Sequence, residues 1–225
     1  MDQCAKSTWN TVAMSYLLPD AVVVEAYQDL RSRMIELLRE TQPQLGTSPV
    51  PHCPAWSVRD VAAHLVGVPE DILAGRMEGV TSEAWTQAQV DRHLDQSLAD
   101  LADIWANQIE SFDAVLPHIP APVNSQMVMD AVTHEHDIRH ALGKAGARDS
   151  SAVRVGLGWL LDAAGDDSGL ATRLRGSGLD DFDLLRVMSG RRSAEQIARL
   201  GLDANDILPL FVGKPLTPPS ITIDE

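Results

Sequence analysis

The chain has 225 residues, of which 18 are Lys or Arg and 32 are Asp or Glu, a formal net charge of −14. Its apolar fraction of 44% is that of a folded chain rather than a disordered one, and the length suits one large domain or one domain with a small appendage. The acidic balance argues against nucleic acid and against an anionic membrane surface, because both would be repelled.

Two cysteines, Cys4 and Cys53, cannot form a disulfide framework and read as reduced intracellular thiols. No run of about 18 apolar residues marks a membrane span, and the start shows no charged lead into an apolar segment. The expectation is a cytoplasmic protein.

Residues 1–18 form a lead-in without clear period. Residues 19–41 read as a helix, started by Pro19 and Asp20, with Val24, Tyr27, Leu30, Met34, Ile35, Leu37 and Leu38 at helical spacing. Residues 42–55 carry Pro43, Pro49, Pro51 and Pro54 and read as a stiff surface connection, not a strand. Ser57 with Asp60 three residues on has the pattern of a capping box, opening a helix whose stripe is Val58, Val61, Ala62, Leu65 and Val68, and which continues with a kink past Pro69. Residues 83–116 read as the longest helical stretch, stopped by Pro117. A helix over about 125–142 ends at Gly143, and another spans 152–164. Residues 165–180 read as loop, 181–189 and 193–200 as short helices, 205–213 as a last short helix, and the tail as extended. No run alternates cleanly enough for a sheet. The fold expected is all-α: an antiparallel four-helix bundle over residues 19–164, with residues 165–225 as a small, mainly helical appendage packed on it.

Three of the seven histidines, His134, His136 and His140, lie in the segment 130–140. Asp130 and His134 are four apart and share a helix face, as do His136 and His140 on another. Met127, Ala131, Ile138 and Leu142 form an apolar stripe that contains His134, so Asp130 and His134 are expected to point inward and His136 and His140 outward. His64, between Val61 and Leu65, is a second inward histidine. Two imidazoles and a carboxylate leave open positions on zinc or a similar ion, and facing helices of a bundle are a place to assemble such a site. The competing reading of each histidine is a hydrogen-bonded core residue. Asp137 is expected to pair with Arg139, Arg186 or another basic residue and hold helices together. Arg191 and Arg192 are read as capping a helix-turn-helix, Cys53 as a buried structural thiol, Trp56 as a staple at the bundle end, and the acidic stretch from Asp91 to Asp113 as a solvated face.

Three segments carry a resemblance. Pro51-His-Cys53-Pro-Ala-Trp56-Ser57-Val-Arg-Asp60-Val-Ala-Ala-His64-Leu65 and Asp130-Ala-Val-Thr-His134-Glu-His136-Asp137-Ile-Arg139-His140-Ala-Leu-Gly143 resemble the two signatures of the mycothiol-dependent maleylpyruvate isomerase family of DinB-like bundles. The segment from Phe182 through Arg186 to Arg191, Arg192 and Gln196 resembles the C-terminal part of actinobacterial members. The resemblance implies that His64, Asp130 and His134 hold a divalent metal, zinc first among the candidates. Asp130 stands where the family usually has glutamate, one methylene longer. Relatives often carry a strand-containing lobe at the position of residues 165–180, most of which this chain lacks.

The implied partners are mycothiol, as thiol cosubstrate, and a small electrophile. The thiolate, held at the metal, would attack that electrophile, staying on the product in a transferase and leaving again in an isomerase. The alternative is a non-catalytic DinB-like binding or stress-response protein that has lost the metal chemistry. An exposed apolar stripe would also allow a homodimer.

Overall fold

The computed structural model describes residues 15–165, 169–212 and 217–225. Most of the lead-in, including Cys4, lies outside the described residues. Helix α1 spans Asp20–Glu40 and buries Val23, Tyr27, Leu30, Met34 and Leu38 along one stripe. Helix α2 spans Val58–Ala74, and α3 spans Glu83–Arg92. Helices α4 (Leu98–Asn107) and α5 (Ile109–Val115) follow, and α6 spans Val123–Ala141. The bundle is made of α1, α2, the α4–α5 pair and α6. Both α1 and α2 pack on α4 and on α6, so α1 and α2 stand at opposite corners. The fold is all-α, as the periodicity predicts. No helix among the described residues is long and apolar enough to cross a membrane.

The local signals explain the main boundaries. Ser57 caps α2 through a complete capping box: its Oγ accepts from Asp60 N at 3.3 Å while its own N donates to Asp60 Oδ2 at 2.9 Å. Such a cap contributes about 1 kcal/mol. Pro69 sits inside α2 without ending it. After α6 the chain turns at Gly143, whose φ of 63° is left-handed and favours glycine.

Four expectations are corrected. The connection 42–55 is not strand-free: β1 (Pro49–Val50) and β2 (Cys53–Ser57) form an antiparallel hairpin with Val50 opposite Cys53 and Pro49 opposite Ser57. In so short a two-stranded ribbon, prolines can stand where a missing N–H costs no ladder bond. The stretch 83–116 is not one helix. It stops after Arg92 and restarts at Ser97, which forms a second capping box with Asp100, and it breaks again at Gln108. The loop 165–180 contains helix α8 (Leu170–Arg175), which buries Leu170, Ala171 and Leu174.

The fourth correction concerns α6. His136 is buried rather than exposed, and His140 is only partly exposed. Helix α7 (Ser151–Ala164) covers the face of α6 turned away from the bundle, and α9 (Asp181–Met188) packs on α7. The His136 ring stacks edge-on against Phe182 of α9, with centroids 4.7 Å apart. Gly156 of α7 permits the close approach, since a Cβ there would lie 2.9 Å from Val132 Cγ1 and 3.2 Å from Met129 Cα. Two interior faces leave α6 little polar surface.

Helix α10 spans Ala194–Arg199, and α11 spans Ala204–Ile207, continued by a 3-10 turn over Leu208–Phe211. Residues 217–225 run back over this region without regular secondary structure.

Candidate metal centre

The three residues singled out for a metal come together. One ligand atom each of His64, Asp130 and His134 lies within 4.8 Å of the other two. His64 comes from the middle of α2, and Asp130 and His134 from successive turns of α6. His64 Nε2 is 3.0 Å from Asp130 Oδ2, and His134 Nε2 is 3.8 Å from Asp130 Oδ1. The rotation of α6 is fixed from the other side by its buried Glu135, which takes both Nε and Nη2 of Arg33 on α1, at 3.2 and 2.9 Å.

The opposite nitrogens of both rings are already engaged. His64 Nδ1 lies 2.7 Å from Gln89 Oε1, and Gln89 Nε2 donates to Asp71 Oδ2 at 2.8 Å. Asp71 also accepts from Arg76 and Arg92, at 2.7 Å each, so its carboxyl oxygens act as acceptors. That fixes the amide: its NH₂ faces Asp71 and its carbonyl faces His64. His64 Nδ1–H is therefore the donor, and Nε2 turns toward Asp130. His134 Nδ1 in turn donates to Asp137 Oδ2 at 3.1 Å. In both rings Nε2 faces a carboxylate, an arrangement satisfied by a proton on Nε2 or by a cation between the three groups.

The electrostatics match this geometry. Burial works against the His134 imidazolium, but its bond to Asp137, the Cys53 sulfur and Asp130 outweigh burial and lift its pKa to about 10. Burial would raise Asp130, yet the facing His64 and His134 rings bring it down to about 2. Asp137 is fully buried and held well below the usual carboxylate range, against the penalty of burial, chiefly by Arg191 and Arg186. Arg191 Nη2 and Arg186 Nη1 reach it at 2.8 and 2.9 Å. Asp137 thus holds helices together, and Arg186 and Arg191 are its partners. Arg191 also bonds the Ser189 carbonyl, as a capping residue would, but its ion pair with Asp137 goes beyond that reading.

Several residues of the site were missed from sequence. Trp56 is not a plain staple. Its ring lies beside both histidines, with centroids 5.7 Å from His64 and 6.3 Å from His134. Cys53 is half-buried, and its thiol faces Asp137 Oδ2 at 3.6 Å, next to Arg191 Nη2 at 3.8 Å. The hairpin puts both residues there, and the prolines hid the hairpin. Gln89 has no motif of its own. The nearest signal is Gly67, where a Cβ would come within 2.5 Å of Gln89 Cβ. Only glycine lets α3 approach α2 this closely.

Residues 27–139, half of the chain, match the family model of the mycothiol maleylpyruvate isomerase N-terminal domain. The chain belongs to this family. The match includes His64, Asp130 and His134 and also Cys53, Trp56, Gln89 and Asp137, whereas Arg186 and Arg191 lie beyond it. No curated protein and no solved structure matches the chain.

Proposed function

We propose that this protein is a divalent-metal-dependent enzyme that uses mycothiol, as a thiol transferase or a cis-trans isomerase acting on a small electrophile, with His64, Asp130 and His134 as the metal ligands. The observation that carries the reading is the tied Nδ1 of both imidazoles, which presents two Nε2 atoms and one carboxylate to a common point. This donor set suits zinc and leaves positions open for a thiol and a substrate. Family membership supports the thiol.

A divalent cation at such a site favours the thiolate form of a bound thiol at neutral pH, and the thiolate is the nucleophile. The chain's own residues prepare the place. Gln89 and Asp137 orient the two imidazoles. Trp56 shields one side of them from water. Asp130, 38% exposed, marks the open side through which a cosubstrate enters. The domain over residues 19–164, which comprises the bundle and α7, carries the site, and residues 165–225 buttress it through Arg186 and Arg191.

The test is metal content of the purified protein beside a His134→Ala variant, by elemental analysis. Near one equivalent in the parent and loss in the variant are expected. Absence of metal from both, even after supplementation, overturns the reading and leaves a non-catalytic DinB-like bundle.

A further inference from the structure

A second cluster lies next to the metal centre and is not used by it. The Glu225 side chain, in the irregular segment 217–225, enters a pocket made by the hairpin turn, α6, α9 and the end of the α9–α10 connection. Arg186 Nε donates to Glu225 Oε2 at 3.2 Å, and Arg186 Nη2 donates to Oε1. Arg192 Nη1 donates to Oε2 at 2.9 Å. His52 Nε2 is 2.9 Å and His140 Nδ1 3.9 Å from Oε1, and both ring nitrogens are buried without the alignment of a hydrogen bond. Arg186 is fully buried, and the side chain of Glu225 is only 6% exposed although the residue as a whole lies at the surface.

The chemistry of this pocket is that of a carboxylate receptor. The planar fork of Arg186 meets both carboxylate oxygens, a geometry guanidinium makes with carboxylates. A metal ion is disfavoured there, because Arg186 and Arg192 already hold the carboxylate and would repel a cation. The pocket is also more permanent than its occupant. Arg186 and His140 are set on helices, Arg192 immediately precedes Ser193, the N-cap of α10, and His52 sits in the turn of the hairpin. Glu225 arrives on a strap whose neighbouring bonds are Gln196 Nε2 to the Ile223 carbonyl at 2.9 Å and the Thr222 hydroxyl near Ser193 and Glu195. Ile221 on the same strap is 71% exposed.

We infer that Arg186, Arg192, His52 and His140 form a binding pocket for a small carboxylate, and that Glu225 is its displaceable internal occupant. An external carboxylate takes the place of the Glu225 side chain and releases the strap. The pocket is joined to the metal centre by one residue, since Arg186 also holds Asp137, which orients His134. The inference does not depend on the metal reading.

The experiment compares the parent chain with Glu225→Ala and Glu225→Gln, using acetate as probe against chloride at equal ionic strength. Thermal midpoints and long-range ¹H–¹⁵N spectra of the histidine rings are the readouts. Glu225→Ala is expected to melt below the parent and to be restored saturably by acetate. Its acetate affinity should be roughly tenfold or more above the parent's, as the three guanidinium hydrogen bonds now made to Glu225 become available. The His52 and His140 ring signals should move while that of His118 stays. Glu225→Gln, which fills the space, should not respond. If Glu225→Ala folds only when acetate is present, the pocket is supported equally. Rescue no greater than with chloride, failure to fold even in acetate, the same response in all three proteins, or a second metal equivalent bound at His52, His140 and Glu225 would each overturn the inference.

Discussion

His134 Nδ1 donates to Asp137 Oδ2 at 3.1 Å, so a carboxylate one turn further along α6 decides which nitrogen of the ring is available to a metal. Partners of this kind orient metal ligands, and their loss costs about 10- to 100-fold in metal affinity. Asp137→Asn should therefore bind zinc about 10- to 100-fold more weakly, measured by competition with a chromophoric chelator. It should also destabilise the fold by about 3–5 kcal/mol, because Arg186 and Arg191 lose a buried counter-charge, measured by urea unfolding.

Gly67→Ala separates positioning from ligation. Its Cβ would meet Gln89 Cβ at 2.5 Å, a clash with the root of a side chain and not its tip. Overpacking of this kind costs about 1–3 kcal/mol. The variant should keep all three ligands and still lose zinc affinity, as Gln89 is pushed off His64. Gln89→Ala should show the same affinity loss with a smaller effect on the thermal midpoint.

The metal-free protein should be most stable near pH 6.5, the ordinary histidine value from which His134 departs upward and His136, with His52, downward. His134 is raised to about 10. Its contribution is fully present below pH 6.5 and is lost as pH climbs toward 10. His136, buried in an apolar setting beside Arg186 and Arg139, is lowered to about 3. It stays neutral in the fold while the unfolded chain takes up a proton, so stability falls as pH drops from 6.5 toward 3. Thermal midpoints across this range should form a dome. His134→Ala should flatten the alkaline limb and His136→Gln the acid limb; a monotonic profile would contradict both assignments.

Metal loading should reverse the alkaline limb. A cation on His134 Nε2 must displace the proton that the ring, with its pKa lifted to about 10, otherwise keeps at neutral pH. Affinity should then rise by about tenfold per pH unit between roughly pH 7 and 9 as one proton is released per ion. Asp130, already ionised above about 2, adds nothing in that range. Calorimetry in two buffers of different ionisation enthalpy counts the proton.

That His64, Asp130 and His134 come together was legible because they obey helix arithmetic. Asp130 and His134 are four apart, and the stripe of Met127, Ala131 and Ile138 tells which way they face. His64 has the same kind of warrant from Val61 and Leu65. What could not be read is whatever depends on a neighbour distant in sequence. His136 looked outward only because α7 and α9 were not yet packed on α6. Cys53 and Trp56 looked peripheral because a proline-rich segment gives no strand signal, although it forms the hairpin beside the site. Gln89 reaches His64 through an interhelix gap set by a glycine on the other helix, which no local pattern announces.

The buried charge of Asp137 has a consequence for what can be detached. It belongs to the stretch matched by the family model, which ends at residue 139, yet its two guanidinium partners sit at 186 and 191. A chain cut after α7 would strand that carboxylate in an apolar interior with only His134 and the Cys53 thiol beside it. The smallest piece that can stand alone therefore reaches at least past Arg191, about fifty residues beyond the recognisable homology.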